Sequence, residues 1–93
     1  MESSSASARL EPGSPNPFSQ RTTLRYTLPA PAQVVLTVTD AVGREVRRLV
    51  SQSVGAGSHV VPFDAEGLAS GVYFVRLEVG GALSAVQRVS IVR

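Results

Sequence analysis

The sequence predicts an all-β chain folded as a small antiparallel sandwich of about seven strands. From Thr22 onward, apolar and polar residues alternate with period two, the pattern of strands with one buried face. Turn residues interrupt the alternation about every 8–12 residues, the spacing of sandwich strands. No segment keeps a helical period for longer than one turn.

The N-terminal part reads differently. Residues 1–14 are Ser/Ala-rich and then Pro/Gly-rich, without periodicity, and are expected to be a flexible linker that buries nothing. Their removal should then leave stability unchanged, with Leu10 the one candidate for the end of a short edge strand. The domain proper is set at residues 15–93.

The first clear strand has Leu24, Tyr26 and Leu28 alternating with Thr23, Arg25 and Thr27. Pro29-Ala30-Pro31 ends it, because proline has no N–H to give a ladder. Residues 33–39 alternate again, with Val34, Leu36 and Val38 inward, Gln33, Thr37 and Thr39 outward, and Val35 out of step. Asp40 and Gly43 fit the first and fourth positions of a type I turn, with Gly43 free to take positive φ as a bulge. The chain returns over residues 45–50. There Val46 and Leu49 are three apart, and a β-bulge puts both on one face.

Gly55-Ala56-Gly57 turns into a strand with His59, Val61 and Phe63 inward. Pro62 makes that strand end or lie at an edge. Residues 64–71 are turn-rich. Residues 72–79 form the strongest strand, with Tyr73, Val75, Leu77 and Val79 on one face.

Gly80-Gly81 starts the last hairpin. A two-residue turn sets Val86 beside Val75 and Arg88 beside Tyr73. A three-residue loop including Ala82 sets Ala85 beside Leu77 and Val89 beside Tyr73. The second is favoured, since Leu83, Ala85, Val89 and Ile91 then share the core face, Gln87 excepted.

Composition excludes several functions. The chain is 43% hydrophobic but only 5% aromatic, which suits a thin core better than a large cleft. Its nine basic residues are all arginine, and the net charge is only +2. Arg47 and Arg48 alone are adjacent, and strand neighbours point to opposite faces. With no aromatic platforms between basic residues, a nucleic-acid partner is disfavoured. The absence of cysteine rules out disulfides, thiolate metal sites and cysteine nucleophiles. No run approaches the ~18 continuous apolar residues of a membrane span. A signal peptide, for an exported protein, is expected upstream of this segment.

No catalytic constellation emerges. His59 is the only histidine, too few for a two-histidine metal site, and its inward parity points to a half-buried structural role. Asp40, Glu45, Asp64 and Glu66 sit in or beside turns, where carboxylates cap backbone N–H groups. Calcium held by the loop of Asp64 and Glu66 is the weaker alternative. Gly55-Ala56-Gly57 and Gly80-Gly81 lack the following helix that phosphate binding needs. Neither enzymatic activity nor a cofactor is expected.

Three signatures in order carry a resemblance: Asn16-Pro17; Asp40, Gly43 and Arg44 followed by Val46; and Leu68, Gly71 and Tyr73. In this order and spacing, the chain resembles the C-terminal sorting domains of the bacterial type IX secretion system, over roughly residues 15–93. Two positions depart from the family's habit: Thr39 stands where an aromatic often precedes the turn aspartate, and Phe63 where tryptophan is common.

The resemblance implies an immunoglobulin-like sandwich and a non-catalytic signal. That signal would take an upstream cargo domain through the periplasm and across the outer membrane to the cell surface or medium. The partners it implies are the outer-membrane secretion machinery and its sorting peptidase. Recognition is then expected at Asn16, Pro17, Asp40, Gly43, Arg44, Gly71, Tyr73, Arg88 and Arg93. Locally, Gly43 and Gly71 supply backbone freedom, and Tyr73 fits a tyrosine corner. Arg44 is expected to serve recognition or to pair with Glu45 or Glu66.

Residues 86–93 are expected to form an edge with unpaired backbone groups, open to strand addition. Arg88 and Arg93 would orient that docking. The alternative function is a stabilising or carbohydrate-binding sandwich appended to a secreted polysaccharide-degrading enzyme. It needs exposed aromatics, and only Phe18 and Phe74 have outward or loop parity.

Overall fold

The computed structural model describes residues 8–93. Seven strands follow one another: β1 (Arg9–Ser14), β2 (Arg21–Leu28), β3 (Ala32–Thr39), β4 (Glu45–Val54), β5 (Gly57–Asp64), β6 (Gly71–Val79) and β7 (Ala82–Ile91). A parallel bridge from Phe18 to Ile91 adds an eighth extended segment. No helix occurs among the described residues. The strands form two antiparallel sheets, β1-β2-β5 and β4-β3-β6-β7, packed as an immunoglobulin-like sandwich.

Period-two patterning builds the core. Leu24, Tyr26, Leu28 and Phe63 come from the smaller sheet, and Val34, Leu36, Val38, Tyr73, Val75, Leu77, Val89 and Ile91 from the larger one, all buried. Burial of this apolar surface is the main force holding the sheets together. Thr37 and Thr39, expected to face solvent, are only 6% and 8% exposed. Both lie on β3, which has a neighbour on each side: Thr37 stands between Arg48 and Arg76, and Thr39 between Glu45 and Phe74.

Where the spacing of Val46 and Leu49 called for one bulge, β4 has two. Opposite β3, the β4 register skips Leu49 and then Val46. Each extra residue lets an apolar side chain three positions away return to the same face. Pro62 lies within β5, an edge strand whose outer side needs no donor.

The last hairpin combines both registers weighed above. Val79 pairs with Ala82 around Gly80-Gly81, whose φ angles of 62° and 87° suit a two-residue turn of the type I′ kind. A bulge then skips Ser84, so Leu77 meets Ala85 and Tyr73 meets Val89. The favoured core register therefore holds, reached by a different turn. Leu83 is the casualty: it lies before the bulge, opposite Glu78, and is 51% exposed rather than in the core.

The N-terminal boundary also moves. Residues 9–14 are not linker but β1, paired with β2 from Arg9 opposite Thr27 to Ser14 opposite Thr23. Leu10 is 6% exposed, and an ideal Cβ on Gly13 would stand 2.9 Å from Thr22 Oγ1. The segment's composition conceals it, because one leucine and one closely fitted glycine suffice when β2 offers a free edge. The rest of the expected linker, residues 1–7, lies outside the described residues.

Candidate functional site

Register places most of the singled-out residues at one pole of the sandwich. β3 ends with Thr39 opposite Phe74, β6 begins with Gly71 opposite Ile91, and β5 ends with Asp64 opposite Arg21. The turn over residues 40–44, the connection over residues 65–70 and Arg93 therefore share that end. The other pole carries residues 29–31, 55–56 and 80–81, together with the start of β1, where Arg9 faces Thr27.

The turn over residues 40–44 is built around one carboxylate. Asp40 Oδ1 accepts hydrogen bonds from the Val42 N–H at 3.0 Å and the Arg44 N–H at 2.9 Å. Asp40 Oδ2 accepts from Arg44 Nε at 3.0 Å. The Gly43 N–H closes onto the Asp40 carbonyl at 3.0 Å, and Gly43 takes φ 91°, a conformation that side-chain-bearing residues resist. Arg44 thus pairs with Asp40, not with Glu45 or Glu66. Glu45 instead holds Arg48 through two contacts of 3.1 and 3.2 Å. The turn presents Val42, 76% exposed, and the Arg44 side chain, 80% exposed.

These bonds hold the Asp40 carboxyl below its usual range. The Arg44 backbone N–H contributes most, against partial desolvation, with help from the Arg44 guanidinium and the Val42 N–H. Because the folded value lies below the unfolded one, the ionised group stabilises the fold above the ordinary aspartate range. That contribution fades as pH falls through the lowered value. Carboxyl-carbon NMR should place the Asp40 titration below the ordinary aspartate range. An Asp40→Asn variant should lose less stability than wild type between about pH 5 and pH 2. Parallel acid profiles would show that the turn contributes nothing to acid sensitivity.

At the next connection, Tyr73 Oη donates to the Ala69 carbonyl at 2.7 Å, the expected tyrosine corner. Gly71, with φ 150°, leads into the strand. Arg93 closes the pole: its guanidinium donates to the Ala65 carbonyl and its N–H to Ser70 Oγ at 3.1 Å. Arg47 donates likewise to the Glu66 carbonyl. Asp64 caps the Glu66 N–H at 2.9 Å and faces Arg21 at 3.5 Å. A polar recess of about 300 Å³ lies among Gln20, Arg21, Asp64, Glu66 and Arg93.

Asn16-Pro17-Phe18 has a role that no local pattern announces. Asn16 Oδ1 accepts from the Ser90 N–H at 3.0 Å, and Asn16 Nδ2 donates to the Arg88 carbonyl at 3.2 Å. The Phe18 N–H donates to the Ser90 carbonyl at 3.0 Å, and its carbonyl accepts from the Val92 N–H at 2.9 Å. A side-chain amide and one residue of backbone thus serve as a surrogate strand along β7. The expected open edge over residues 86–93 is therefore corrected: from Arg88 to Val92 its outward groups are occupied. Upstream, Gln87 Nε2 donates to the Leu10 carbonyl of β1 at 2.9 Å, joining the two sheets on this side.

Asn16→Ala should speed amide exchange at Ser90 by at least about tenfold, the effect of about 1.4 kcal/mol in local opening. Exchange within β3 should be unchanged. An unaltered Ser90 rate would remove Asn16 from this role.

His59 is half-buried and stacked on Tyr26, with centroids 5.3 Å apart, and Nε2 lies 2.8 Å from the Gly55 carbonyl. Among the described residues, no group of three or more His, Asp and Glu side chains is placed to hold a metal. No helix among the described residues is long and apolar enough to cross a membrane. Phe18 is 4% exposed and set edge-on against Phe63, with centroids 5.5 Å apart. Its expected outward placement is corrected, which leaves only the half-buried Phe74 for a sugar-stacking platform.

A family model described as a secretion system C-terminal sorting domain matches residues 14–92. No curated protein matches the chain. Among solved structures, the chain is similar to a Pseudomonas fluorescens alkylpurine DNA glycosylase, AlkC, bound to DNA containing an abasic site analog. The likeness has 18% identity and a TM-score of 0.50, and covers 95% of this chain. It spans only 31% of that chain and bears on the fold alone.

Proposed function

This chain belongs to the family of type IX secretion system C-terminal sorting domains, and on that premise we propose that it is a non-catalytic module that directs an upstream polypeptide to the cell surface or medium. The family match over residues 14–92 carries the reading. The geometry supports it, because β1 begins at the pole opposite the turn over residues 40–44. A cargo joined ahead of β1 leaves the motif pole clear for the outer-membrane machinery and its sorting peptidase.

Within this reading the motif residues divide their work. Asn16, Pro17, Asp40, Gly43, Gly71 and Tyr73 shape the pole through backbone geometry and internal hydrogen bonds. Arg44, whose side chain is largely exposed, is the direct contact for the machinery. Arg93 is tied to the Ala65 carbonyl, and Arg88 flanks the Asn16 contact on β7. Both add positive charge beside the pole.

The test is a fusion. A reporter with its own signal peptide, joined ahead of the full chain, should reach the medium or surface of a type IX-competent bacterium. Arg44→Gln should reduce export while leaving the denaturant midpoint within about half a kcal/mol, as is usual for an exposed substitution. Retention of the unaltered fusion in the periplasm would refute the sorting role. Full export by Arg44→Gln would refute the contact assigned to Arg44.

A further inference from the structure

The two lateral sides of the sandwich are finished differently. On one side, β1 and β7 are joined by Gln87 to Leu10, and the β7 edge is occupied by Asn16 and Phe18. On the other side lie β4 and β5, each the last strand of its sheet. β5 carries Pro62, which cannot donate to an added strand. The first half of β4 is disrupted by bulges at Val46 and Leu49.

The second half of β4 is not protected. Residues 50–54 pair with β3 in unbroken register, from Leu36 opposite Val50 to Ala32 opposite Val54. Among the described residues, no strand neighbours their outer edge. Edges are commonly guarded by charge, proline or a bulge. The stretch from Leu49 to Val61 contains no Asp, Glu, Lys, Arg or Pro. Ser51, Gln52 and Ser53 are exposed, and nothing in them repels an incoming strand.

The sequence of this edge is also its own mirror: Val50-Ser51-Gln52-Ser53-Val54. A twofold axis through Gln52 pairs Val50 with Val54 of a second copy, Ser51 with Ser53, and Gln52 with itself. Such an isologous contact makes the Val50–Val54 and Ser51–Ser53 pairs twice and the axial Gln52 pair once. Antiparallel pairing sets like polar and β-branched residues directly opposite one another, where hydroxyl pairs and packed valines stabilise a sheet.

We propose that residues 50–54 of β4 form a self-association edge whose partner is a second copy of this chain. The two larger sheets join there into one continuous antiparallel sheet. The axis lies near the end of β4 remote from the turn over residues 40–44, so both motif poles remain free. The seam is short, so association is weak and depends on concentration. This inference is independent of the sorting role, since it concerns a different edge and is read without a secretion host.

The absence of cysteine makes the test direct. Directly opposed antiparallel residues have Cα atoms about 4.5–5.5 Å apart, within reach of a disulfide. Under mild oxidation, full-length Gln52→Cys should form a covalent dimer at least tenfold faster than Val42→Cys, a likewise exposed single-cysteine control at the far pole. Sedimentation of the unaltered chain should show mass rising with concentration. Gln52→Lys places two like charges on the axis and should keep the mass monomeric with an unchanged denaturant midpoint. Equal oxidation rates for the two cysteine variants, or a monomeric mass at every concentration, would overturn the proposal. Loss of export by a well-folded Gln52→Lys fusion whose parent is monomeric would overturn it too, assigning the edge to the secretion machinery instead.

Discussion

Phe63→Ala is expected to lower the unfolding free energy by about 3–5 kcal/mol, the usual cost of deleting a buried aromatic side chain. Phe63 is fully buried and meets Phe18 edge-on, with ring centroids 5.5 Å apart. It therefore joins the core to the segment that carries Asn16. Losing the ring opens a cavity and removes the aromatic contact that seats Phe18. Domains of this size hold only about 5–15 kcal/mol in total, so the variant should unfold on mild heating. Urea midpoints with an unchanged m-value would measure the loss. The Ser90 amide should also lose protection beyond the global change, because Phe18 anchors the segment whose Asn16 Oδ1 accepts from the Ser90 N–H. A loss below about 1 kcal/mol would mean that neighbours collapse into the space, and the Phe18–Phe63 contact would then have no special place.

Removing residues 1–14 should be nearly as damaging, contrary to what their composition suggests. The truncation deletes β1 and with it Leu10, 6% exposed in the intact fold. It uncovers the inner side of Thr22 and Leu24, against which Gly13 is closely fitted. It also strips β2 of one neighbour and leaves the Gln87 amide without the Leu10 carbonyl. Loss of a buried leucine alone costs about 2–5 kcal/mol. A second consequence separates this from a simple cavity. The bared β2 edge has Thr23, Arg25 and Thr27 on its outward face and no proline, so the truncated chain should self-associate more strongly than the intact one. A truncated protein with the parent midpoint would return residues 9–14 to the linker.

The strands from residue 22 onward, the turn over residues 40–44, a bulge in β4 and the tyrosine corner were legible in the sequence because each rests on local chemistry. Leu24, Tyr26 and Leu28 alternate whatever their partner strand is. Asp40 reaches only to Val42 and Arg44, and Tyr73 only to Ala69. The core register of the last hairpin was legible for a related reason: a slip of one residue would have exposed Val89. The Ser84 bulge was not, since a bulge and a longer turn produce the same register downstream.

What the tertiary structure alone decided involves groups far apart in the chain. Asn16 meets Ser90 across 74 residues, and Gln87 meets Leu10 across 77. Nothing beside Asn16 in sequence says that its amide will stand in for a strand. Phe18 is buried only because Phe63 and Ile91 arrive beside it, and Thr37 and Thr39 only because β3 acquires neighbours on both sides. The expectation of an open edge over residues 86–93 came from strand order within one sheet. Hydrogen-bonding groups at a sheet edge are satisfied by whatever packs there, and topology, not periodicity, brings residues 16–18 to that place. Periodicity settles which face of a strand is buried; only the assembled sandwich settles which edge is closed.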